Sequence, residues 1–522
     1  MVSILRMRRD RRRGLSIFAV LAFTTGMLAL LGPASAAVPA NCAVVNLNTG
    51  QAYSSLQPAI DEAPVGAILR ISGTCAGNFT VGRDLTLRGV RTAASPGPPT
   101  LDGNMQGTVL TISSGNVAVD GLRITRGAAS GIVNQGVLNL NGSTVIGNSA
   151  ELGGGIYNAG SGVLRMNRSS SARGNEAFES GGGIYNVGAL TLNDSSSVIG
   201  NMAESGGGVF NEHFDVTLGP GTIILNDSSS VSRNIATTGF GGGISNDFGT
   251  VSLNDSSSVN RNTSGVGGGI SNGGDLTLND SSSVSANGTA GSLGGGIFNG
   301  GVLILNGSST VSGNSSDGVY NFQHITLNDR SSIRRNDGVG IFGVFDAAIT
   351  LNDFSSVSGN EGGGISSEAE ITLNDSSTVS GNAGGIVVGY LLTMNDTSSV
   401  RGNVSSAFDG AGIYNFGDVS LKDSSSVIGN TAGGNGGGIF NVGGVTMSGA
   451  SRVINNTAGG NGGGIFNLGL VTLSGSSRVI NNTAGGSGGG IFNEPPGEVF
   501  VCPGSSVRLS PNVPDDPPET FC

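Results

Sequence analysis

The sequence predicts an all-β chain wound into a parallel β-helix, a solenoid of about fifteen or more coils, and three observations carry that prediction. The first is composition: 94 of the 522 residues are glycine, 12% are charged and 5% aromatic. Glycine at that density breaks helices throughout, and without a strict every-third spacing it does not make collagen. A hydrophobic share of 37% is also too high for a charged disordered chain. The second is repetition. The unit Gly181 to Asn201 reads GGGIYNVGALTLNDSSSVIGN, and its isoleucine recurs, sometimes as valine, at 132, 156, 184, 209, 244, 270, 297, 319, 341, 365, 386, 413, 439, 465 and 491. The mean spacing is about 26 residues, and the last four positions are 26 apart each time. The third is a hydrophobic period of two inside the unit: Leu190 and Leu192 flank Thr191, and Ile184 and Asn186 flank Tyr185. Such alternation in short runs, divided by glycine and Asn-Asp turns, means strands. One unit cannot bury its own apolar face, but stacked units share a continuous core.

Taken from the N-terminus, residues 1–36 read as a bacterial-type secretory signal peptide. Six arginines between Arg6 and Arg13 precede an apolar run, Leu15 to Leu31, and a small-x-small end, Ala34-Ser35-Ala36. Arg12-Arg13-Gly14-Leu15 is a weak twin-arginine look-alike, so the export route stays open. No later apolar run is long enough to span a membrane. Removing six arginines and Asp10 takes the net charge from −11 to −16. That surface repels phosphates and lacks the basic patch a nucleic acid partner needs. The expected location is extracellular or at the cell surface.

Residues 37–80 form an expected N-terminal cap. Ser54-Ser55-Leu56-Gln57 fits a capping box, and Leu56, Ala59, Ile60 and Ala63 share one helical face. A short helix there covers the open first coil. The repeats occupy 81–493, starting from strand-like stretches such as Leu85-Thr86-Leu87. Residues 494–522, rich in proline, read as the C-terminal cap. The four cysteines sit at the two ends, and closeness in sequence together with an oxidising compartment favours Cys42–Cys75 and Cys502–Cys522. Terminal cysteines and two histidines make a zinc site improbable. Two asparagine columns run along the repeats. One holds Asn148 and then Asn201 to Asn482 in a Val/Ile-x-x-Asn context, and the other follows the repeat isoleucine by two, as in Asn186. Inward-turned, each amide bonds its neighbours above and below and satisfies the backbone of its turn.

The recurrent G-G-G-[IV]-[FY]-N, followed by L-T-L-N-D-S-S-S-V-x-G-N, resembles the right-handed parallel β-helix repeats of the pectin-lyase-like superfamily. It is most similar to the polymorphic outer-membrane-protein type. The resemblance covers roughly residues 52–493 and implies a right-handed single-stranded coil with a cap helix. It implies little about activity, because that superfamily holds lyases, hydrolases, adhesins and inert scaffolds. The catalytic patterns of its enzymes are not matched. The Asp-Asp pair, Asp515-Asp516, lies in the tail, neither His213 nor His324 stands between glycines, and Lys422 is the sole lysine.

Three features bear on function. The aromatic after the repeat isoleucine, which includes Tyr320 and Phe342, alternates onto the outward strand face. It suits stacking on sugars or on a partner, or else stiffens the sheet by stacking on itself. The aspartate of Asn-Asp-Ser-Ser, from Asp194 to Asp423, makes a carboxylate column that Ca²⁺ could use, although Asp after Asn is ordinary turn chemistry. No other cofactor is expected. Finally, the loop between each column asparagine and the next glycine run shrinks to three residues at 315–317 and to one at Asp337, Glu361 and Ala383, so the stack has a notch there. Asp317, Asp337 and Glu361 each precede a glycine on consecutive coils. At ~4.8 Å per coil, neighbours stand near the ~5 Å of retaining glycosidases, and Asp317 with Glu361 near the ~6.5–9.5 Å of inverting ones. Arg334 and Arg335 lie close by and suit an acidic sugar. The alternative is three solvated turn acids. The expected function is a secreted scaffold that binds glycans or cell-surface material. A polysaccharide lyase or glycoside hydrolase acting around 317–361 is the second reading, and a purely structural rod the third.

Overall fold

The computed structural model describes residues 42–212, 220–344 and 347–513; the expected signal peptide, His213, Asp515, Asp516 and Cys522 lie outside the described residues. The chain is a right-handed parallel β-solenoid of about 16 turns with almost no helix. One coil shows how the sequence makes it. Ile184–Asn186 lies on one face, Ala189–Leu192 on the next and Ser197–Ile199 on a third, and Met202–Ala203 forms a short edge before the glycines return the chain to the first face. Each strand pairs in parallel with its counterpart one coil on, so like residues stack: Ile184 on Val209, Leu190 on Ile223, Val198 on Val231. Ile184, Leu190, Leu192 and Val198 are fully buried. Each such side chain contributes about 1.5–3 kcal/mol, an upper range because the unfolded chain is already partly compact.

The corners are held by asparagine. In the column at the glycine corner, Asn336 Nδ2 donates to Asn360 Oδ1 at 3.0 Å, Asn360 to Asn382 at 3.0 Å, and so on from Asn148 to Asn512. Asn175 belongs to this column, in an Ala-x-x-Asn context, and Asn512 closes it. The second column, Asn134 to Asn493, is linked in the same way along its two runs. A third, half-buried column comes from the asparagine of Asn-Asp: Asn193 donates to Asn167, and Asn352 to Asn328. The aspartate beside it is a turn residue with positive φ, 51° at Asp194 and 56° at Asp353. Its carboxylate accepts the backbone N–H of the aspartate one coil back, as Asp353 Oδ2 does from Asp329 at 3.0 Å.

The N-terminal end is closed as expected but by different contacts. Helix α1, Leu56–Glu62, buries Leu56, Ala59 and Ile60, with Ala63 just beyond it. Its N-cap is Ser55, which makes no side-chain cap bond. Gln57 does not reach back to a cap; its amide donates to Thr80 O and accepts from Thr80 N–H. The helix thus satisfies the open edge of strand Phe79–Val81 as a further strand would. Strand Ala43–Asn46 pairs antiparallel with Ala67–Ser72, and Cys42 bonds to Cys75. At the other end Arg508 and Val513 continue the backbone pairing beyond Arg478 and Thr483. Cys502 is half-buried there, and its expected partner Cys522 is outside the described residues. Among the described residues no helix is long and apolar enough to cross a membrane.

Candidate functional site

Among the described residues the strand ladder at the edge after the glycine-corner asparagines is split in two. Six strands stack there from Ser149–Leu152 to Gly288–Leu293, and four from Val404–Ser405 to Thr483–Ala484. The coils at Ser315, Asp337, Glu361 and Ala383 carry no strand at this edge. Loop length explains this directly at three of the four, since one residue between asparagine and glycine cannot form a strand; the coil at Ser315 has three, 315–317. The notch read from the sequence is therefore a four-coil break in the edge ladder.

At the C-terminal end of the break lies a pocket of about 380 Å³, within the size range of small-ligand sites. Gly362, Gly363, Ala383 and Gly384 line it from the shortened corners, and Ser366 and Val387 from the neighbouring strands. Phe408, Asp409, Tyr414 and Phe416 form the opposite wall. Phe408 is 75% exposed and Phe416 55%. Asp409 Oδ1 accepts the Asn435 N–H at 2.5 Å. Burial, and secondarily the Asp409 charge, raises the Tyr414 hydroxyl above its usual value.

The aromatic column behaves differently from a row of free rings. Successive rings stack, with centroids 4.8 to 5.9 Å apart, in three runs: Tyr157–Tyr185–Phe210, Phe298–Tyr320–Phe342 and Tyr414–Phe440–Phe466–Phe492. Tyr185, Phe440 and Phe466 are buried and the others half-buried. Coil spacing near 4.8 Å brings rings into offset stacking range, so the column satisfies itself. Tyr320 and Phe342 stack at 5.1 Å on the N-terminal side of the break and do not line the pocket.

The acids are placed unequally. The Glu361 N–H bonds to Asn336 O and the Asp337 N–H to Asn314 O, so Asp337 and Glu361 occupy the same position on adjacent coils, both exposed. Asp317 sits one residue further along, because the Gly338 N–H bonds to Ser316 O. Its Oδ1 accepts the Val339 N–H at 2.8 Å. Burial raises its pKa and that hydrogen bond partly opposes the rise. Arg335 is exposed at a positive-φ corner, and half-buried Arg334 ends strand Ser332–Arg334 with a buried Nε. None of these five residues lines the pocket. Of the residues that do, Phe416 stands three after the repeat isoleucine and Phe408 and Asp409 in the loop before the glycine run, positions with no recurrent residue type to mark them. Among the described residues no group of three or more His, Cys, Asp or Glu converges on one cation position.

The Asp317 geometry gives a pH prediction. A carboxyl whose folded pKa is raised stabilises most below its ordinary value and loses that contribution as pH rises through the folded pKa. Asp317→Asn keeps an oxygen for the Val339 N–H and removes the charge. Relative to the parent, the variant is expected to gain more stability at about pH 7 than at about pH 3. Urea midpoints at the two pH values check this, and an equal difference at both refutes it.

No family model matches the chain, and neither a curated protein nor a solved structure shows significant similarity to it.

Proposed function

We propose that this chain is a secreted β-solenoid scaffold that binds glycans or cell-surface material, and that its repeats are of the pectin-lyase-like, polymorphic outer-membrane-protein type. The observation that carries the binding reading is the pocket in the four-coil break, walled by Phe408, Tyr414 and Phe416 with Asp409 beside them. Aromatic faces next to a few fixed polar groups suit a ligand with apolar ring faces and hydroxyl edges. A rigid stack of about 16 turns supports such a site with little ordering cost on binding. The secreted location rests on the N-terminal 36 residues, and the repeat family on the GGG-[IV]-[FY]-N signature.

The test is retention of the full chain on a panel of insoluble polysaccharides, with new reducing ends assayed in the same tubes. Retention without release is the expected result. A second reading, polysaccharide cleavage, is favoured by Asp337 and Glu361 standing on adjacent coils. Release that disappears in an Asp337→Asn/Glu361→Gln variant establishes that reading instead. Neither retention nor release leaves the structural rod.

A further inference from the structure

The aromatic column on the outward face is interrupted twice, and the two interruptions are resolved differently. In the first, Ser245 and Ser271 stand in register between Phe210 and Phe298. Phe240, from the loop before the glycines and half exposed, leans over them and meets Phe298 with centroids 6.4 Å apart, the rings tilted. The chain fills that gap with a ring of its own. In the second, Ser366 and Val387 stand in register between Phe342 and Tyr414. The corner loops of these two coils are one residue long, Glu361 and Ala383, so neither carries a ring like Phe240; the rings that border the gap, Phe408 and Phe416, come from the next coil, Phe416 with its centroid 4.8 Å from that of Tyr414. The pocket lies at this second gap, with Ser366 and Val387 in its lining and Tyr414 at its side.

We infer that the second interruption is a subsite for a non-acidic pyranose ring, which takes the place in the column that Phe240 takes in the first. This rests on the glycan-binding reading above and specifies its ligand. The two missing positions leave a slot three coil steps wide, about 14 Å, between Phe342 and Tyr414. A pyranose has apolar C–H faces for Tyr414 and Phe408 and hydroxyl edges for Ser366, Ser405 and Asp409, all of which line the pocket. Charge selects within the sugars. Among the described residues Asp409 is the only charged one in that lining, and a carboxylate without a cation repels a uronate or a sulfated sugar. Arg334 and Arg335, the residues suited to an acidic sugar, are elsewhere. The subsite therefore takes neutral hexoses or amino sugars.

The experiment titrates the full chain by calorimetry with gluco-, manno- and chito-oligosaccharides and with an oligogalacturonate of matched length. At least one of the first three is expected to bind and the oligogalacturonate is not. Val387 is 40% exposed, so Val387→Phe adds a ring to the column and occupies the slot from within. It is expected to weaken binding by about tenfold or more, and Phe408→Ala, in an exposed loop, by a similar factor. Phe240→Ala, which opens only the first gap, leaves affinity unchanged. Circular dichroism and melting of each variant separate loss of binding from loss of fold. Unaltered binding by both Val387→Phe and Phe408→Ala overturns the subsite, as does preference for the oligogalacturonate. So does binding of a Phe/Tyr-rich peptide in place of every sugar, or failure of all three non-acidic oligosaccharides with a parent that polysaccharides retain. A parent retained by no polysaccharide removes the glycan reading itself.

Discussion

Asn360→Ala is expected to cost about 3–6 kcal/mol and to divide the unfolding transition in two. Asn360 is 1% exposed. Its Oδ1 accepts both the backbone N–H and the side-chain Nδ2 of Asn336 at 3.0 Å, and its Nδ2 donates to Asn382 Oδ1 at 3.0 Å and to Ile333 O at 3.4 Å. Alanine strips a partner from four buried groups at once, each worth about 1–3 kcal/mol when left unmet. Some of that is recovered, because Asn382 Oδ1 still accepts the Asn360 backbone N–H and Asn336 Nδ2 still reaches Val311 O. In a solenoid each coil is held only by its neighbours, so a lesion in the middle uncouples the two halves. Guanidinium unfolding followed by circular dichroism should then show two steps where the parent shows one. Asn328→Ala is the matched control. Asn328 belongs to the half-buried column and exchanges one bond with Asn306 and one with Asn352, which water can replace, so its cost should stay near about 1 kcal/mol. Equal costs at the two positions would mean that burial of the amide column contributes nothing.

The contrast also explains what was legible in the residues before the structure. Ile184, Leu190, Val198 and Asn201 recur because each coil repeats the same corner and the same core position, so a linear period encodes a three-dimensional contact. The four-coil break was equally readable, since the single residues Asp337, Glu361 and Ala383 set loop length locally. Asn175 escaped because Ala172 stands where its column neighbours have valine or isoleucine, and Asn512 because the last coil is irregular. At Gln57 the local pattern fits a capping box, but the tertiary contact with Thr80 satisfies a sheet edge that no local pattern records. Alternation puts the aromatic column on the outward face, yet it cannot tell whether a ring faces solvent or another ring. The pocket wall was the least legible part. Phe408 and Asp409 lie in a loop that recurs with changed residues, Asn435 and Asn461 taking the place of Asp409 on the next coils, and they face Ser366 and Val387 only because the intervening corners are short.

Gly364→Ala tests the same packing from the backbone side and should be the more damaging of two glycine replacements made in adjacent coils. The third glycine of each run lies against the next coil with no room for a side chain. At Gly364 an added Cβ would come to 2.6 Å from Gly385 O, 2.6 Å from Val379 Cγ1 and 2.9 Å from Asn382 Nδ2. Two of these atoms are fixed by the contacts that hold the coils together, because Gly385 O accepts the Ile365 N–H at 3.0 Å and Asn382 is a member of the buried column. Relief requires the coils to separate locally, which breaks both, and a loss of about 3 kcal/mol or more is expected. Gly381 offers the opposite case: φ is +63° and nothing lies within 4 Å of its Cβ position. Alanine there meets only the strain of the left-handed conformation, about 1–2 kcal/mol. Denaturant midpoints order the two variants. Gly364 also immediately precedes Ile365 and Ser366 in the pocket lining, so its replacement should weaken ligand retention even where the fold survives, whereas Gly381→Ala should not. If Gly381→Ala were the worse of the pair, backbone conformation and not inter-coil contact would be the reason the runs are glycine.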